Sequence, residues 1–306
     1  MKVLVATDKP FAKEAVEGIR EAVEKAGFEL ALLEKYTEKS QLLDAVKDAN
    51  AIIIRSDIID AEVLDAAKNL KIVVRAGAGY DNVDLDSATA HNVCVMNTPG
   101  QNANAVAELA FGMMVAGVRN FYDGSSGTEL LGKKLGIHAY GNVGRNVARI
   151  AKGFGMEVYA YDAFCPTDVI EKDGVKALNS AEELYKNCQF VSLHIPATAE
   201  TKQSINHALL SKMPKGAMLV NTARKEVINE VELEKLMEDR QDFKYVTDVM
   251  PGNHEKLMAS YAKRYFSTPQ KMGAQTAEAN INAGIAAAHQ IVDFLKNGNE
   301  KFRVNK

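Results

Sequence analysis

The chain reads as an α/β protein made of two doubly wound parallel-sheet domains. Three observations lead there. Short apolar strands alternate with helical patterns from one end to the other, the rhythm of a parallel sheet with helices on both faces. The 306 residues suit about two domains at roughly 150 residues each. Near Ala103 the character changes to one long, charge-poor helical pattern, after which a second strand–helix series begins.

In the first series, Val3-Leu4-Val5-Ala6 is a strand, and Asp8-Lys9-Pro10 is a cap-like turn with proline placed to open a helix. Apolar residues then recur at Ala12, Ala15, Val16, Ile19, Ala22, Val23 and Ala26, and Gly27 ends that helix. Ala51-Ile52-Ile53-Ile54 is a continuous apolar strand stopping at Arg55-Ser56-Asp57. Lys71-Ile72-Val73-Val74 stops at Arg75-Ala76-Gly77-Ala78-Gly79, and Val93-Cys94-Val95-Met96 runs into Asn97-Thr98-Pro99-Gly100. The long helix spans Ala103 to about Val118. The second series places strands at Leu135-Gly136-Ile137-His138-Ala139, at residues 157–162 and 190–194, at Ala217-Met218-Leu219-Val220-Asn221 and at Tyr245-Val246-Thr247-Asp248. An Ala-rich helix, residues 276–295, closes the chain. With no flexible linker present, helices are expected to join the two halves.

Composition narrows the function. Lys+Arg 37 against Asp+Glu 40 leaves a net charge of −3, which lacks the basic excess of a nucleic-acid or anionic-membrane partner. No apolar run approaches the ~18 residues of a membrane span, and the first residues form a strand rather than a signal peptide. Cys94, Cys165 and Cys188 are too few and scattered for a disulfide framework or a zinc site, so no metal is expected. A soluble, cytoplasmic protein is the expectation.

Three segments carry chemistry. Ala139-Tyr140-Gly141-Asn142-Val143-Gly144 lies between a strand and a helix that begins near Asn142. Gly141 offers a residue without a side chain where a pyrophosphate approaches, and Gly144 a small residue for helix–strand packing, while Ala139 replaces the first glycine of a dinucleotide fingerprint. Asp162 ends the next strand about 18 residues beyond Gly144, where an acid can bind the ribose hydroxyls of NAD and disfavour the extra phosphate of NADP. Taken alone, the turn fits any α/β protein equally well. The second segment is Asn221-Thr222-Ala223-Arg224, whose arginine emerges at a strand's carboxyl end and is either a carboxylate clamp or a surface side chain. The third is residues 268–276, with Lys271 in a loop leading to the last helix. Ligands in open α/β sheets bind beyond the carboxyl ends of strands. Arg55, Ser56, Arg75 and the loop of Gly77, Ala78 and Gly79 are therefore placed for a small anionic ligand.

Together these segments resemble the D-2-hydroxyacid dehydrogenase family, and within it the short phosphoglycerate dehydrogenases, over nearly the whole chain. The stretch from Arg75 to Asp84 looks like the family's substrate loop; Asn97-Thr98-Pro99 followed by Ala105-Val106-Ala107-Glu108 looks like the lead-in to its cofactor domain. His194-Ile195-Pro196, with Thr198 and Thr201, resembles the rim of its adenosine site. Asn221-Thr222-Ala223-Arg224 with Glu230 resembles the strand carrying its catalytic arginine, and Asp248 matches its acid facing the nicotinamide amide.

The resemblance implies a Rossmann-type NAD-binding domain, residues 98–278, inserted into a flavodoxin-like substrate-binding domain made of residues 1–97 and 279–306. The cofactor is then NAD, held by Gly141, Asn142, Val143, Gly144, Asp162, His194, Ile195, Pro196, Thr201, Thr222, Ala223 and Asp248. It implies an active site in the cleft between the domains, with Arg55, Ser56, Arg75 and residues 77–79 on one side and Arg224 on the other. A small 2-hydroxy acid is the expected partner, phosphorylated if the two arginines grip a phosphate, and a homodimer is the expected assembly.

Three features depart from the family pattern. Its histidine after Thr-Pro is replaced by Gln270-Lys271, its orienting glutamate by Asn253, and the stretch between Val118 and Gly132, which often builds the dimer contact, is short. Lys271 is the candidate for the histidine's work, with Arg224 as its catalytic partner. A lysine needs no carboxylate to fix a tautomer, which accounts for the missing glutamate. An unperturbed amine titrates near ~10.4, so acting as a base requires burial and neighbouring positive charge. The implied reaction is oxidation of 3-phosphoglycerate to 3-phosphohydroxypyruvate at the start of serine biosynthesis. An unphosphorylated acid such as glycerate or glyoxylate is the alternative within the class. A catalytically silent NAD-sensing protein is the alternative of another class, separated by turnover of any 2-hydroxy acid.

Overall fold

Residues 1–306 are described by a computed structural model. Its first stretch runs β1 (Lys2–Thr7), α1 (Lys13–Lys25), β2 (Glu29–Glu34), α2 (Lys39–Ala45), β3 (Ala51–Ile54), α3 (Ala61–Ala66), β4 (Ile72–Arg75), α4 (Leu85–Ala90) and β5 (Cys94–Asn97). The five strands form one sheet in the order β2-β1-β3-β4-β5, parallel throughout. All four residues of β3 are buried, as expected of a strand covered on both faces. The sequence of β2, Glu-Leu-Ala-Leu-Leu-Glu, favours helix by intrinsic propensity. Pairing along six residues of β1 overrides that preference, which is why its pattern gives no strand when read alone.

The second series begins with α5 (Ala103–Val118) and continues β6 (Lys134–His138), α6 (Asn142–Gly153), β7 (Glu157–Tyr161), α7 (Thr167–Lys172), β8 (Lys176–Ala177) and α8 (Ala181–Asn187). It ends with β9 (Phe190–Leu193), α9 (His207–Leu210), β10 (Met218–Asn221), α10 (Glu230–Asp239), β11 (Lys244–Thr247), α11 (His254–Tyr261) and β12 (Tyr265–Ser267). Seven parallel strands lie in the order β12-β11-β10-β9-β6-β7-β8. Counted from β6, that is 3-2-1-4-5-6, the doubly wound nucleotide-binding order, with one more strand at the edge. The apolar α5 lies against β10 so closely that a Cβ on Gly117 would come 3.0 Å from Met218 Sδ.

After Val118 the short connection places Asn120, Phe121 and Tyr122 successively at φ of +51°, +53° and +62°. Lys244 Nζ holds it by donating to Gly117 O and Asn120 Oδ1, and Phe121 stacks on Phe266. The last helix, α12 (Ala277–Asn297), is capped by Thr276 Oγ1 and ends at Gly298 with φ +69°. It packs on α1, so that residues from both ends of the chain share one core beneath β1, β3 and β4. The chain therefore divides into two compact units, Met1–Asn102 with Gln275–Lys306, and Ala103–Ala274. These boundaries lie a few residues from those read off the sequence. No helix is long and apolar enough to cross a membrane.

The tail covers the open edge of β5. Arg303 pairs antiparallel with Met96, and Val304 donates to Val95 O. The Asn305 side chain accepts from Val95 N at 2.8 Å and donates to Val93 O at 2.9 Å, with only 2% of the residue exposed. Removing that carboxamide strands a buried backbone N–H and C=O, a loss of about 1–3 kcal/mol. Asn305→Ala is therefore expected to lower the unfolding free energy of the first unit by that much, read as a lower urea midpoint, with the second unit's transition unmoved.

Candidate active site

Parallel strands end on one edge, so the loops leaving β6, β7, β9, β10 and β11 gather at the carboxyl side of the second unit's sheet. The β6–α6 turn places Ala139 at φ +80°, the left-handed region that a glycine would occupy more cheaply. Gly144 is required by packing, since a Cβ there would run into Ala139 O. Gly141, by contrast, faces open space. It is the N-cap of α6, with no side-chain cap and no acid in the first turn. The first amides of Asn142 and Val143 therefore begin a twelve-residue helix whose N-terminus favours an anion.

Asp162 follows β7 directly. Its Oδ2 accepts from Tyr140 N at 2.6 Å and its Oδ1 from Phe164 N and Cys165 N at 2.7 and 2.9 Å. Burial raises this carboxyl, and the three backbone N–H bonds more than offset it, leaving it below the usual range. The acid thus ties the glycine turn to its own loop, a role the strand pattern did not reveal. At the β9 end, His194 N donates to His138 O, and its Nε2 lies 3.0 Å from Ser192 Oγ. Ile195 is buried, Pro196 exposed, and Thr201 Oγ1 donates to Pro196 O at 2.6 Å, which closes the loop they share.

The β10 loop holds the central arrangement. Asn221, fully buried, accepts from Ala223 N with Oδ1 and donates to Arg224 O with Nδ2, both at 3.0 Å. Ala223 O lies within this bracketed turn. It accepts from Arg224 Nη1 at 2.9 Å and from Lys271 Nζ at 3.4 Å, so one carbonyl gathers both candidate catalytic cations. Sequence reasoning quoted Asn221 only as part of the motif and missed its bracing role. Thr222 is buried with Oγ1 unpartnered. Asp248, fully buried, accepts from Gly273 N and Met272 N with Oδ2 at 2.7 and 3.2 Å, while Oδ1 has no partner. Burial raises the Asp248 carboxyl above its usual value against the opposing pull of these N–H groups and of the Lys271 and Arg224 charges. Asn253 donates weakly to Glu230 O and leaves its own Oδ1 buried without a partner. Glu230 instead accepts from Gly252 N.

These features fit NAD. An open helix N-terminus suits a pyrophosphate, and a buried acceptor at Asp248 Oδ1 suits a carboxamide donor.

In the first unit, Arg55 and Arg75 both leave the carboxyl ends of strands but differ in what they hold. Arg55 Nη1 donates to Lys9 O and Pro10 O, its Nη2 to Asn280 Oδ1, and its guanidinium lies over Phe11. It braces the β1–α1 loop to α12. Arg75 folds over Gly77, where any Cβ would collide with its guanidinium, and its buried Nε has no partner. Burial lowers its pKa, with Arg55 adding to the effect and Asp81 opposing it. Arg75 is the arginine here with an unmet donor. Ser56 is exposed, and the loop of residues 77–79 is tied by Thr98 N to Gly77 O and by Asn97 Nδ2 to Ala78 O. Asp57, which sequence reading passed over, fixes this corner by accepting from Asp8 N, Tyr36 Oη and Arg55 N.

The chain is similar to known proteins over most of its length. The family described as D-isomer specific 2-hydroxyacid dehydrogenase, NAD binding domain, matches residues 112–269. The D-3-phosphoglycerate dehydrogenase of Methanocaldococcus jannaschii is 34% identical over 84% of this chain, which spans about half of that protein (52%). The hydroxypyruvate reductase of Thermotoga maritima is also 34% identical, over 95% of this chain and 98% of its own. The crystal structure of NAD+-bound 3-phosphoglycerate dehydrogenase from Entamoeba histolytica is 48% identical with a TM-score of 0.87, covering 100% of this chain and 99% of that one.

The buried imidazoles have a consequence for acid stability. Burial lowers His138 to about 4 and His194 to about 3. Unfolded imidazoles titrate near ~6.5, so below that pH the unfolded chain takes up protons that the folded one refuses. Stability should therefore fall as pH drops from about 6.5 toward 4, above the range in which ordinary carboxylates protonate. His138→Gln, which keeps a polar group beside Tyr185 Oη, should make that fall shallower by roughly half, read as urea midpoints across the window.

Proposed function

Since the chain belongs to the D-isomer specific 2-hydroxyacid dehydrogenases, NAD-dependent oxidoreductases, we propose that it oxidises 3-phosphoglycerate to 3-phosphohydroxypyruvate. The observation that carries this reading is the convergence of Arg224 Nη1 and Lys271 Nζ on Ala223 O, with the Asp248 carboxylate close by. Residues 141–144, Asp162, residues 194–196, Thr201, Thr222, Ala223 and Asp248 would hold NAD, which when bound supplies the acceptor for the hydride leaving C2.

Arg224 binds the substrate carboxylate and offsets charge that develops on the C2 oxygen, an electrostatic role. Lys271 Nζ, as the neutral amine, takes the C2 hydroxyl proton during oxidation. As the ammonium it returns that proton during reduction. The Asn221 bracket keeps the Ala223–Arg224 turn from relaxing, so the guanidinium is oriented before substrate arrives. Arg75, with its unmet Nε, and the neighbouring backbone of residues 77–79 would grip the remote phosphate. Serine biosynthesis is the process this reaction would open, and a cytoplasmic homodimer remains part of the proposal.

A second reading, reduction or oxidation of an unphosphorylated 2-hydroxy acid, is favoured by one observation. Three hydrogen bonds tie the Arg55 guanidinium to Lys9 O, Pro10 O and Asn280, which leaves Arg75 as the main cation for a phosphate. Arg75→Ala separates the two. If a phosphate is bound there, KM for 3-phosphoglycerate should rise at least about tenfold, the loss of one charge-assisted contact, while KM for glycerate changes little. Arg55→Ala should instead lower thermal stability and affect both acids alike. Equal effects of Arg75→Ala on both acids would favour the unphosphorylated substrate.

Lys271→Ala should cut kcat by about 10²–10⁴ with NAD binding retained, the usual size of acid–base assistance. In the unaltered protein the oxidative rate should keep rising into alkaline pH, beyond a histidine's range near ~6.5, while reduction holds its rate at neutral pH. Near-normal turnover by Lys271→Ala, with an oxidative profile levelling near pH 7, would transfer the role to a histidine.

A further inference from the structure

Lys271 lies on the irregular segment between β12 and α12, outside the hydrogen-bond ladders of the sheet and the helix. A lysine side chain is a long, flexible stem ending in a point charge. Its reach is repeatable only if the main chain beneath it is fixed. Two backbone N–H groups immediately after Lys271, those of Met272 and Gly273, donate to the same oxygen, Asp248 Oδ2. Gly273 makes that approach possible, because a Cβ there would stand 3.0 Å from Asp248 Oδ2 and 3.1 Å from Val106 Cγ2. On the other side of the segment, Thr268 N donates to Thr247 O and Thr268 Oγ1 to Gln270 O. The loop is thus tied to the end of β11 before and after the lysine.

The second Asp248 oxygen differs. It is buried with no donor, on a side chain at 0% exposure, a state that native proteins rarely leave unmet. The cations facing this carboxylate are Lys271 and Arg224.

We propose that Asp248 is a positioning residue for Lys271: Oδ2 clamps the backbone that carries the lysine, while Oδ1, already counted among the groups that would hold NAD, stays available to the cofactor. One side chain then sets the proton-transfer group and the hydride acceptor relative to each other. This also supplies a carboxylate for the acid/base, though it acts on the main chain rather than on the side chain. The inference rests on the reading of Lys271 as the acid/base.

The test combines amide exchange over residues 269–275 in the NAD-free protein, calorimetric NAD affinity and steady-state kinetics, for Asp248→Asn, Gly273→Ala and Lys271→Ala. Asparagine has the size of aspartate but no charge, so its bonds to the Met272 and Gly273 amides lose the extra strength that an ionised acceptor gives. In Asp248→Asn the Met272 and Gly273 amides should exchange about tenfold faster or more, as a released anchor requires. Its kcat should fall about 10²-fold, the cost of misplacing a reacting group by about 1 Å, with KM for the 2-hydroxy acid nearly unchanged. Gly273→Ala crowds the clamp without touching the nicotinamide acceptor. It should accelerate exchange and lower kcat while leaving NAD affinity within about threefold, and it keeps the test open if Asp248→Asn folds poorly. Unchanged exchange at residues 272–273 in both variants overturns the clamp. So does faster exchange with full kcat while Lys271→Ala is inactive. Retained activity in Lys271→Ala instead removes the lysine reading, and exchange in the other two variants distinguishes that failure from failure of the clamp.

Discussion

In a sheet whose strands all run the same way, every strand ends on one edge, and the groups leaving those ends must be held by loops rather than by ladders. The rest of the second unit follows from this constraint. β6, β7, β9, β10 and β11 deliver the glycine turn, Asp162, His194, Arg224 and Asp248 to one side. Each loop is then stiffened by a polar side chain bonding to backbone. Asp162 does this for the β6 and β7 loops, Thr201 for the β9 loop, Asn221 for the β10 loop and Asp248 for the segment before α12. Short side chains with well-placed acceptors suit this work, since they lose little rotamer freedom and satisfy amides that no strand can pair.

The same edge carries a left-handed residue and buried groups without partners. Ala139 adopts a left-handed conformation without being glycine, and it does so because Gly144 must pack against the turn and Tyr140 N must reach Asp162. Thr222 Oγ1 and Asp248 Oδ1 are buried without partners within a few residues of Arg224 or its neighbouring strand. Elsewhere in the fold the Asn305 carboxamide meets the backbone of β5 on both sides and Arg240 meets Asp242 and two carbonyls, while Glu34 Oε1 and Gln290 Oε1 are also buried without partners. Thr222 Oγ1 and Asp248 Oδ1 differ from those by leaving the carboxyl ends of neighbouring strands, where ligands of parallel sheets bind.

A lysine acid/base, as proposed for Lys271, needs different supports from a histidine. A histidine acid/base requires a partner to hold its tautomer and ring plane, whereas a lysine requires its stem to be aimed. The molecule reflects that difference. Asn253 carries no charge and donates to Glu230 O, while Asp248 and the Ala223 carbonyl converge on the lysine's own loop and amine. In the first unit a similar division of labour separates two arginines that look alike in sequence. Arg55 is committed to holding α12 and the β1–α1 loop, and Arg75 keeps a buried donor in hand.

Much of this was legible in the chain alone, for physical reasons. Continuous apolar runs such as Ala51-Ile52-Ile53-Ile54 can be satisfied only inside a doubly covered sheet, and the long apolar α5 only as a packed helix, so the α/β class and most of the strands follow from local pattern. The glycine turn, Asp162 and the Asn221-Thr222-Ala223-Arg224 segment are likewise local, because each needs its residue types at fixed short spacing. The edge strands β2, β8 and β12 were not legible, since they are short or helix-prone and exist only because a neighbour offers a ladder. Nor could spacing tell which arginine is spent on backbone, or that Ala223 O collects both the adjacent Arg224 and Lys271, which lies 48 residues further along the chain. The sequence by itself determined the elements and the residue types at their ends. Which donors meet which acceptors was decided by the tertiary structure, because hydrogen bonds form between atoms brought within about 3 Å, and no local pattern contains that distance.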